Sequence, residues 1–430
     1  MRLIARLRRA DPALSAMVAE GFLSRLSFGI VSFALPLYAL ELGLGVAAIG
    51  ILASLNLMVA IALKPLAGWV ADRVGLKLSL TGAIALRSAV SLMLALATVP
   101  WQLFATRSVH GVSIALRDPA VNALIAEGAT KERIASAFAW YQTAKSVAGS
   151  LGKVLAGLAI AATASSFSLV FGFAFLLSAL PAYVVVRYVR EPDWESEPAR
   201  RATAGPEGER LESADQTAAR PRGVLRFAGV GFAISGTGHM LSTLFPVLAV
   251  EYAGLSAAQA GLLYSISAAV ALLGPAFGWL SDNVSRRLVL QTRGVANVLS
   301  SGLYLVAPGL PGFAVGKAVD DAGKAAFRPA WGALMAHVSS FDRRRRAQLM
   351  GYMSAGEDTG EMAGPILAGL LWATFGAPVL LLTRMGLALG AEVFTWRMTR
   401  DLEHEPAVRR SAWLRDLAAP AEPAPPPARR

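Results

Sequence analysis

Gly68-Trp69-Val70-Ala71-Asp72-Arg73-Val74 is answered 210 residues later by Gly278-Trp279-Leu280-Ser281-Asp282-Asn283-Val284. Arg107 and Lys317 stand at the same offset. Arg117, with Ala123-Leu124-Ile125-Ala126 after it, has its echo in Arg328, followed by Ala333-Leu334-Met335-Ala336. Farther on, Gly152-x-x-Leu155-Ala156-Gly157 is matched by Gly364-x-x-Leu367-Ala368-Gly369, now at an offset of 212. A register that drifts by two residues over about 90 positions is the trace of a duplicated half-chain. The period is far too long for a solenoid, and duplicated halves are characteristic of membrane carriers.

Composition agrees. Of 430 residues, 55% are hydrophobic and 16% charged, where a soluble domain carries about a quarter charged; the mean hydropathy is +0.50. The absence of cysteine excludes disulfides and thiolate metal sites. A net charge of +12 would suggest nucleic acid in a soluble protein, but the positions of the charges give it another meaning.

Apolar stretches of roughly 20 to 30 residues, each able to cross a ~30 Å hydrocarbon core, are expected near 14–42, 47–71, 79–98, 100–128, 134–163 and 166–190. A second set is expected near 223–253, 256–281, 288–307, 309–338, 347–374 and 377–399. Between them, one alternating set of connections is basic: Arg2, Arg6, Arg8 and Arg9 at the start, then Arg73 and Lys77, Lys131 and Arg133, Arg286 and Arg287, and Arg343 to Arg346. The other set, near 43–46, 99, 164, 254, 308 and 375, has neither Lys nor Arg. Basic loops stay on the cytoplasmic side, so the pattern predicts an even number of spans with both termini in the cytoplasm. The charge is then a topology signal, and no nucleic-acid partner is expected.

The expected organisation is a short cytoplasmic N-terminus (1–13), a six-helix bundle (14–190), a cytoplasmic linker (191–222), a second six-helix bundle (223–399) and a disordered tail (400–430). The linker is rich in Glu, Arg, Ala and Pro and lacks apolar periodicity. The basic start and following apolar stretch share the shape of a signal peptide. The stretch is too long for one and shows no clear cleavage signal, so it reads as the first membrane helix.

Gly68-x-x-x-Asp72-Arg73-x-Gly75-x-Lys77 resembles the loop 2–3 signature of the major facilitator superfamily, with Leu76 departing from it. Gly278, Asp282, Arg286 and Arg287 are similar to the degenerate copy of that signature between helices 8 and 9. Gly323-Lys324-x-x-x-Arg328 with Ala-Leu-Met-Ala looks like a helix segment of a bacterial branch carrying Gly-Lys-Gly-x-Arg and Ala-Leu-Ile-Ala. The resemblance implies an all-α membrane protein: twelve transmembrane helices in two pseudo-symmetric six-helix bundles, in an inner membrane, working as a monomer among lipids. It also implies alternating access, with helices 1, 4, 7 and 10 lining a central cavity. Gly68, Asp72, Arg73, Gly75, Lys77, Gly278 and Asp282 would then form the gate, with Gly68 allowing close helix approach and Asp72 facing a helix end.

Charges at membrane depth are costly and usually face a cavity. On helix 10, Lys317, Asp321, Lys324 and Arg328 follow at spacings of four, three and four, so they share a face, with Asp320 alongside. Helix 4 has a sparser stripe of Arg107, His110 and Arg117, with Asp118 adjacent. The pairs Lys317/Asp321 and Asp320/Lys324 could instead neutralise each other, leaving Arg328 in surplus. Lys145 stands where Glu357 stands in the second half, so the two could be a strut between halves. Glu357 and Glu361 share a helix face, and two close carboxylates in low dielectric cannot both ionise cheaply. One is expected to hold a proton, and Glu361, Glu357 and Asp321 are candidate proton carriers. Candidate substrate-binding residues are Arg117, Lys145, Lys324, Arg328, Lys64, Arg107 and His239. Lys153 adds further positive charge, and Arg25 and Arg87 either add to it or snorkel to headgroups.

The substrate expected from these charges is a small anionic or zwitterionic organic solute, moved by a gradient and coupled to protons. Three alternatives stay open. A drug–proton antiporter would carry Gly-x-x-x-Gly-Pro-x-x-x-Gly in helix 5, whereas Gly360, Gly364, Pro365 and Gly369 place it in helix 11 and Lys153 follows Gly152. A divalent-metal carrier would use His239 with nearby carboxylates, although no metal site is assigned. A non-transporting scaffold would carry nothing. Gly149-Ser150-Leu151-Gly152-Lys153 is too short for a P-loop, so neither enzyme activity nor a cofactor is expected.

Overall fold

The computed structural model describes residues 12–127, 134–189, 222–274, 276–277, 280, 286–339 and 346–403. Every regular element in them is a helix. The first bundle holds α1 (Pro12–Glu41), α2 (Val46–Val74), α3 (Leu76–Leu96), α4 (Pro100–Glu127), α5 (Ile134–Ala162) and α6 (Phe167–Tyr188). In the second, α7 starts as Arg222–His239, breaks at 240–244, and resumes as Phe245–Val247 with a π-helical turn, Leu248–Tyr252. It continues with α8 (Ala257–Ala271), α9 (Arg286–Val306), α10 (Leu310–Ser339), α11 (Arg346–Phe375) and α12 (Ala377–Glu403). The expected linker lies outside the described residues except Arg222, as do the first eleven residues and the tail beyond 403.

The duplication read from sequence is a duplication of packing. In the first bundle α1 packs on α5 and α6, α4 on α2 and α3, and α3 on α6. In the second, α7 packs on α11 and α12, α10 on α8 and α9, and α9 on α12. The turn after α1 and the turn after α7 even use the same device, Gly43 at φ 83° and Gly254 at φ 66°, a left-handed conformation that glycine enters without steric cost.

By length and composition alone, six stretches suffice to cross a membrane; they lie in α1, α2, α3, α5, α6 and the α11–α12 region. Among the other described helices, α8 is apolar but only 15 residues long, α7 is broken into pieces, and α4 is interrupted by Arg107, His110 and Arg117. Those groups face inward: all three are buried. The outer surface is apolar instead, with Leu176 67% and Val306 83% exposed, as a lipid-facing wall requires.

Two seams join the bundles, α5 against α8 and α2 against α11. Both are built on the repeated glycines. A methyl group on Gly157 would collide with the backbone of Ala257 and Gly261, and one on Gly369 with the backbone of Val46 and Gly50. The first glycine of each repeat works inside its own bundle: Gly152 faces Leu26 and Gly29 of α1, and Gly364 faces Gly236 of α7. With no apolar driving force between helices in lipid, such backbone-to-backbone approach supplies the attraction as dispersion. Ser54 adds one bond across the α2–α11 seam, donating to the Met362 carbonyl at 2.6 Å.

The seams do not run the length of the molecule. On the side of the short loops, away from the termini, one apolar cluster spans both bundles, from Phe33, Tyr38 and Phe171 to Phe245, Tyr264 and Phe313. Phe33 and Tyr264 meet edge to face across the seam, with centroids 5.9 Å apart. Toward the termini, each bundle has a core of its own. Met17, Leu80, Ile125 and Tyr141 belong to one, and Phe227, Leu290, Trp331 and Met353 to the other. Among the described residues, the halves are therefore shut on the loop side and parted on the terminus side.

Candidate functional site

Between the parted halves lies a cavity of about 440 Å³, lined from α1, α2, α3, α4, α5, α7, α10 and α11. Arg25, Arg328 and Glu361 are exposed although they sit in mid-helix, so water reaches them, and the aromatic cluster closes the opposite side. Eight cationic side chains line this space against three carboxylates, Asp118, Asp358 and Glu361. The imbalance matters only if the cations lack partners, so each has to be placed.

Arg117 is neutralised. Its Nη2 donates to both carboxylate oxygens of Glu20, at 2.8 and 2.9 Å, and to the Tyr141 hydroxyl at 2.8 Å. Arg107 is anchored to backbone: Nε donates to the Leu52 carbonyl at 3.0 Å and Nη2 to the Ala53 carbonyl at 2.9 Å. It thereby fixes α4 to α2. The other six, Arg25, Arg87, Lys145, Lys153, Lys324 and Arg328, make neither an ion pair nor a side-chain hydrogen bond among the described residues. They rest on aromatic faces where they rest on anything. Arg25 and Arg87 lie 5.1 and 4.6 Å from the Phe28 centroid, Lys145 is 5.0 Å from that of Tyr141, and Lys153 is 4.3 Å from that of Tyr264.

On α10 the expected stripe divides. Lys317 and Asp321 do form the i,i+4 pair, at 2.6 Å, with the Ser267 hydroxyl donating to the same carboxylate; neither residue lines the cavity. Asp320 does not pair with Lys324. It accepts from Arg384 at 2.6 Å and from Arg293 at 3.4 Å. Arg384, wholly buried, also donates to Asn297, Ser300, Ser301 and the Thr237 carbonyl. Two guanidiniums bring more donors to a buried carboxylate than one lysine can, so both Lys324 and Arg328 are left facing the cavity.

The carboxylates of α11 separate as well. Glu357 accepts from the Trp331 indole at 3.1 Å and does not line the cavity. No pair joins it to Lys145 among the described residues. Glu361 lines the cavity and stands 3.7 Å from Nε2 of His239, the last residue before the break in α7. Nδ1 of that histidine lies 2.9 Å from the Ser235 carbonyl, which would place a proton on it. His239 and Glu361 meet, but no group of three or more metal-ligating side chains forms among the described residues.

Of the expected gate, Gly75 holds φ 93° in the turn between α2 and α3, Arg73 stacks on Trp69 at 4.1 Å, and Lys77 donates to the Val186 carbonyl at 3.0 Å. Gly68, Asp72 and also Lys64 are placed on α2 by their backbone alone. Gly278 and Asp282 lie outside the described residues. Glu20, Arg293 and Arg384 escaped the sequence reading. Each is an ionisable residue inside an apolar stretch, which by itself marks a site with a partner to be sought.

A family model described as the Major Facilitator Superfamily matches residues 20–316 and 227–425. Among curated proteins, the chain is similar to "Multidrug resistance protein MdtG" of Escherichia coli O17:K52:H18 (strain UMN026 / ExPEC). The two are 25% identical over 395 residues, which is 88% of this chain and 92% of the relative. Among solved structures, the nucleoside transporter NupG superposes with a TM-score of 0.67 at 15% identity, covering 91% of this chain and 100% of that one. A bacterial homolog of the human lysosomal transporter Spinster, solved inward-facing and unoccupied, gives 0.69 at 16% identity, covering 90% and 96%. At such identities the structures speak for the fold.

Proposed function

We propose that this chain, which belongs to the major facilitator superfamily, carries a small organic anion across a bacterial inner membrane by alternating access of its two halves. The observation behind this reading is the set of six cavity-facing cations with neither an ion-pair nor a hydrogen-bond partner among the described residues. A cation at membrane depth costs about 2.5–3.5 kcal/mol on insertion scales. Internal pairing relieves that cost at Arg117 and Arg384 but not at these six, so water relieves it in the open state and a bound anion in the occluded one. The volume exceeds what a halide or a single water-sized ion needs and suits an organic acid. Lys145 of the first half and Lys324 and Arg328 of the second would hold the anion between the halves.

The basic loops place the termini in the cytoplasm, which makes the open side cytoplasmic. Glu361 and His239 supply a proton-holding pair in the cavity wall. The pair stands at the break of α7. Glu361, exposed to cavity water, takes the role of proton carrier. The gate remains assigned to the loop after α2.

A second reading is drug efflux, favoured by the likeness to the multidrug resistance protein over most of both chains. The cavity charge suits acidic amphiphiles and disfavours lipophilic cations. Purified protein in liposomes, loaded with succinate, benzoate, a cationic dye or manganese and tested for counterflow of the labelled compound, separates the readings. Anion counterflow that falls at least tenfold in Lys324→Gln or Arg328→Gln is the expected result. Counterflow of the dye alone would overturn the anion reading in favour of cationic drugs, and flux of none would point to a scaffold.

A further inference from the structure

Arg25 and Arg87 have the geometry of a binding site, not of residues that snorkel to headgroups. They come from different helices, α1 and α3, and both guanidiniums approach the same ring, Phe28, at 5.1 and 4.6 Å. His110 leans on that ring from α4 with centroids 4.7 Å apart. Arg87 is 8% exposed, and its Nε is buried without any hydrogen-bond partner. A buried guanidinium donor left unmade costs about 1–3 kcal/mol, and a native core rarely tolerates it without reason. Both arginines line the central cavity. Snorkelling to headgroups would take Arg87 away from the cavity, not bury it beside Phe28.

A second pair of cations, Lys324 and Arg328, without an ion-pair or hydrogen-bond partner among the described residues, faces the same cavity one helical turn apart on α10 of the other half. Of the other first-half cations in the cavity wall, Arg117 is taken by Glu20 and Arg107 by backbone carbonyls, while Lys145 and Lys153 rest on the Tyr141 and Tyr264 rings. The facing carboxylates are Asp118 of α4 and Asp358 and Glu361 of α11, the last beside His239.

Resting on the anion reading above, we infer that the substrate carries two separated acidic groups. Arg25 and Arg87 beside Phe28 bind one group in the first half, and Lys324 and Arg328 bind the other in the second. The chemistry is that of a dicarboxylate or a phosphorylated carboxylic acid. Guanidinium forks offer planar paired donors to one end, and the lysine–arginine pair closes on the other. Phe28 gives the carbon chain between them an apolar floor. A compound with a single charge satisfies one half and leaves the other pair bare.

Isothermal titration of the purified full chain tests this, using the dicarboxylates malonate to adipate, 3-phosphoglycerate, and the monomethyl ester of each dicarboxylate. At least one doubly acidic compound should bind roughly 10- to 100-fold tighter than its singly charged partner. In Arg87→Gln that preference should vanish, and Arg87→Lys should restore part of it. Arg25→Gln, at an exposed position, should act in the same direction and guards against a folding defect in Arg87→Gln. Equal binding of diacid and half-ester, or a preference that survives in both Arg25→Gln and Arg87→Gln, overturns the two-ended site and leaves the anion reading standing. Binding of none of these compounds, in a chain whose melting temperature is intact, overturns both.

Discussion

Glu20 and Arg117 form a buried ion pair between α1 and α4, 2.8 Å apart and 0% and 6% exposed. Among the described residues it is the one place in the cavity wall where a first-half guanidinium meets a carboxylate, and Tyr141 of α5 joins it. Three helices of the first bundle are thus tied at one point. Breaking one partner should leave an uncompensated charge and lower stability by about 3–5 kcal/mol. Glu20→Ala and Arg117→Ala are each expected to lower the melting temperature strongly. Glu20→Ala with Arg117→Leu should recover much of the loss, as a double-mutant cycle measured by thermal unfolding will read. Additive losses would show that the two residues act apart.

The glycine seams give a prediction about conformation. Gly157→Val or Gly369→Val puts side-chain atoms where the opposing backbone stands, an overpacking worth roughly 1–3 kcal/mol. The loop side should then open more often. Because the chain has no native cysteine, Thr243→Cys, at a cavity position in the break of α7, is a clean reporter. Its labelling by an impermeant maleimide applied from the loop side should rise several-fold in either valine variant. Unchanged labelling would mean that the seams do not hold that side shut.

Coupling should depend on Glu361. Glu361→Gln keeps the shape but cannot cycle a proton, so accumulation driven by a proton gradient should be lost while exchange without a gradient continues. His239→Gln should weaken coupling less, because Glu361 still faces cavity water. Glu357→Gln, whose carboxylate is held by Trp331 outside the cavity, should leave coupling intact. Gradient-driven uptake that survives in Glu361→Gln would remove it from the proton path.

Topology has its own test. If basic loops stay on the cytoplasmic side, both termini should lie on that face of the membrane. A reporter enzyme active only in the periplasm, fused after Arg430, should be silent, and the same reporter inserted at Gly309 should be active. The reverse pattern would invert the orientation and with it the side on which the cavity opens.

What could be read from the chain follows what spacing can carry. The repeat of Gly152–Gly157 in Gly364–Gly369 predicted the second half, and the structure assigns each glycine of the pair the same neighbour relation as its copy. The cation stripe on α10 was visible because residues on one helix face are fixed by period alone. Pairings between helices were not. Asp320 has Lys324 four residues away, yet its partners are Arg293 and Arg384, 27 and 64 residues distant. Glu20 and Arg117 are 97 residues apart. The Lys145–Glu357 match at the repeat offset relates copies by symmetry, and symmetry does not make copies touch.

The backbone-on-backbone seams have an implication for how often this protein can switch. A side chain locked into an interface gives up rotamer freedom each time the contact forms, up to about 2 kcal/mol for a long one. Gly50, Gly157, Gly261 and Gly369 have no rotamers to give up. Closing these contacts therefore carries no side-chain entropy cost, and the rotamer cost of closure falls to the aromatic residues that cap the seam.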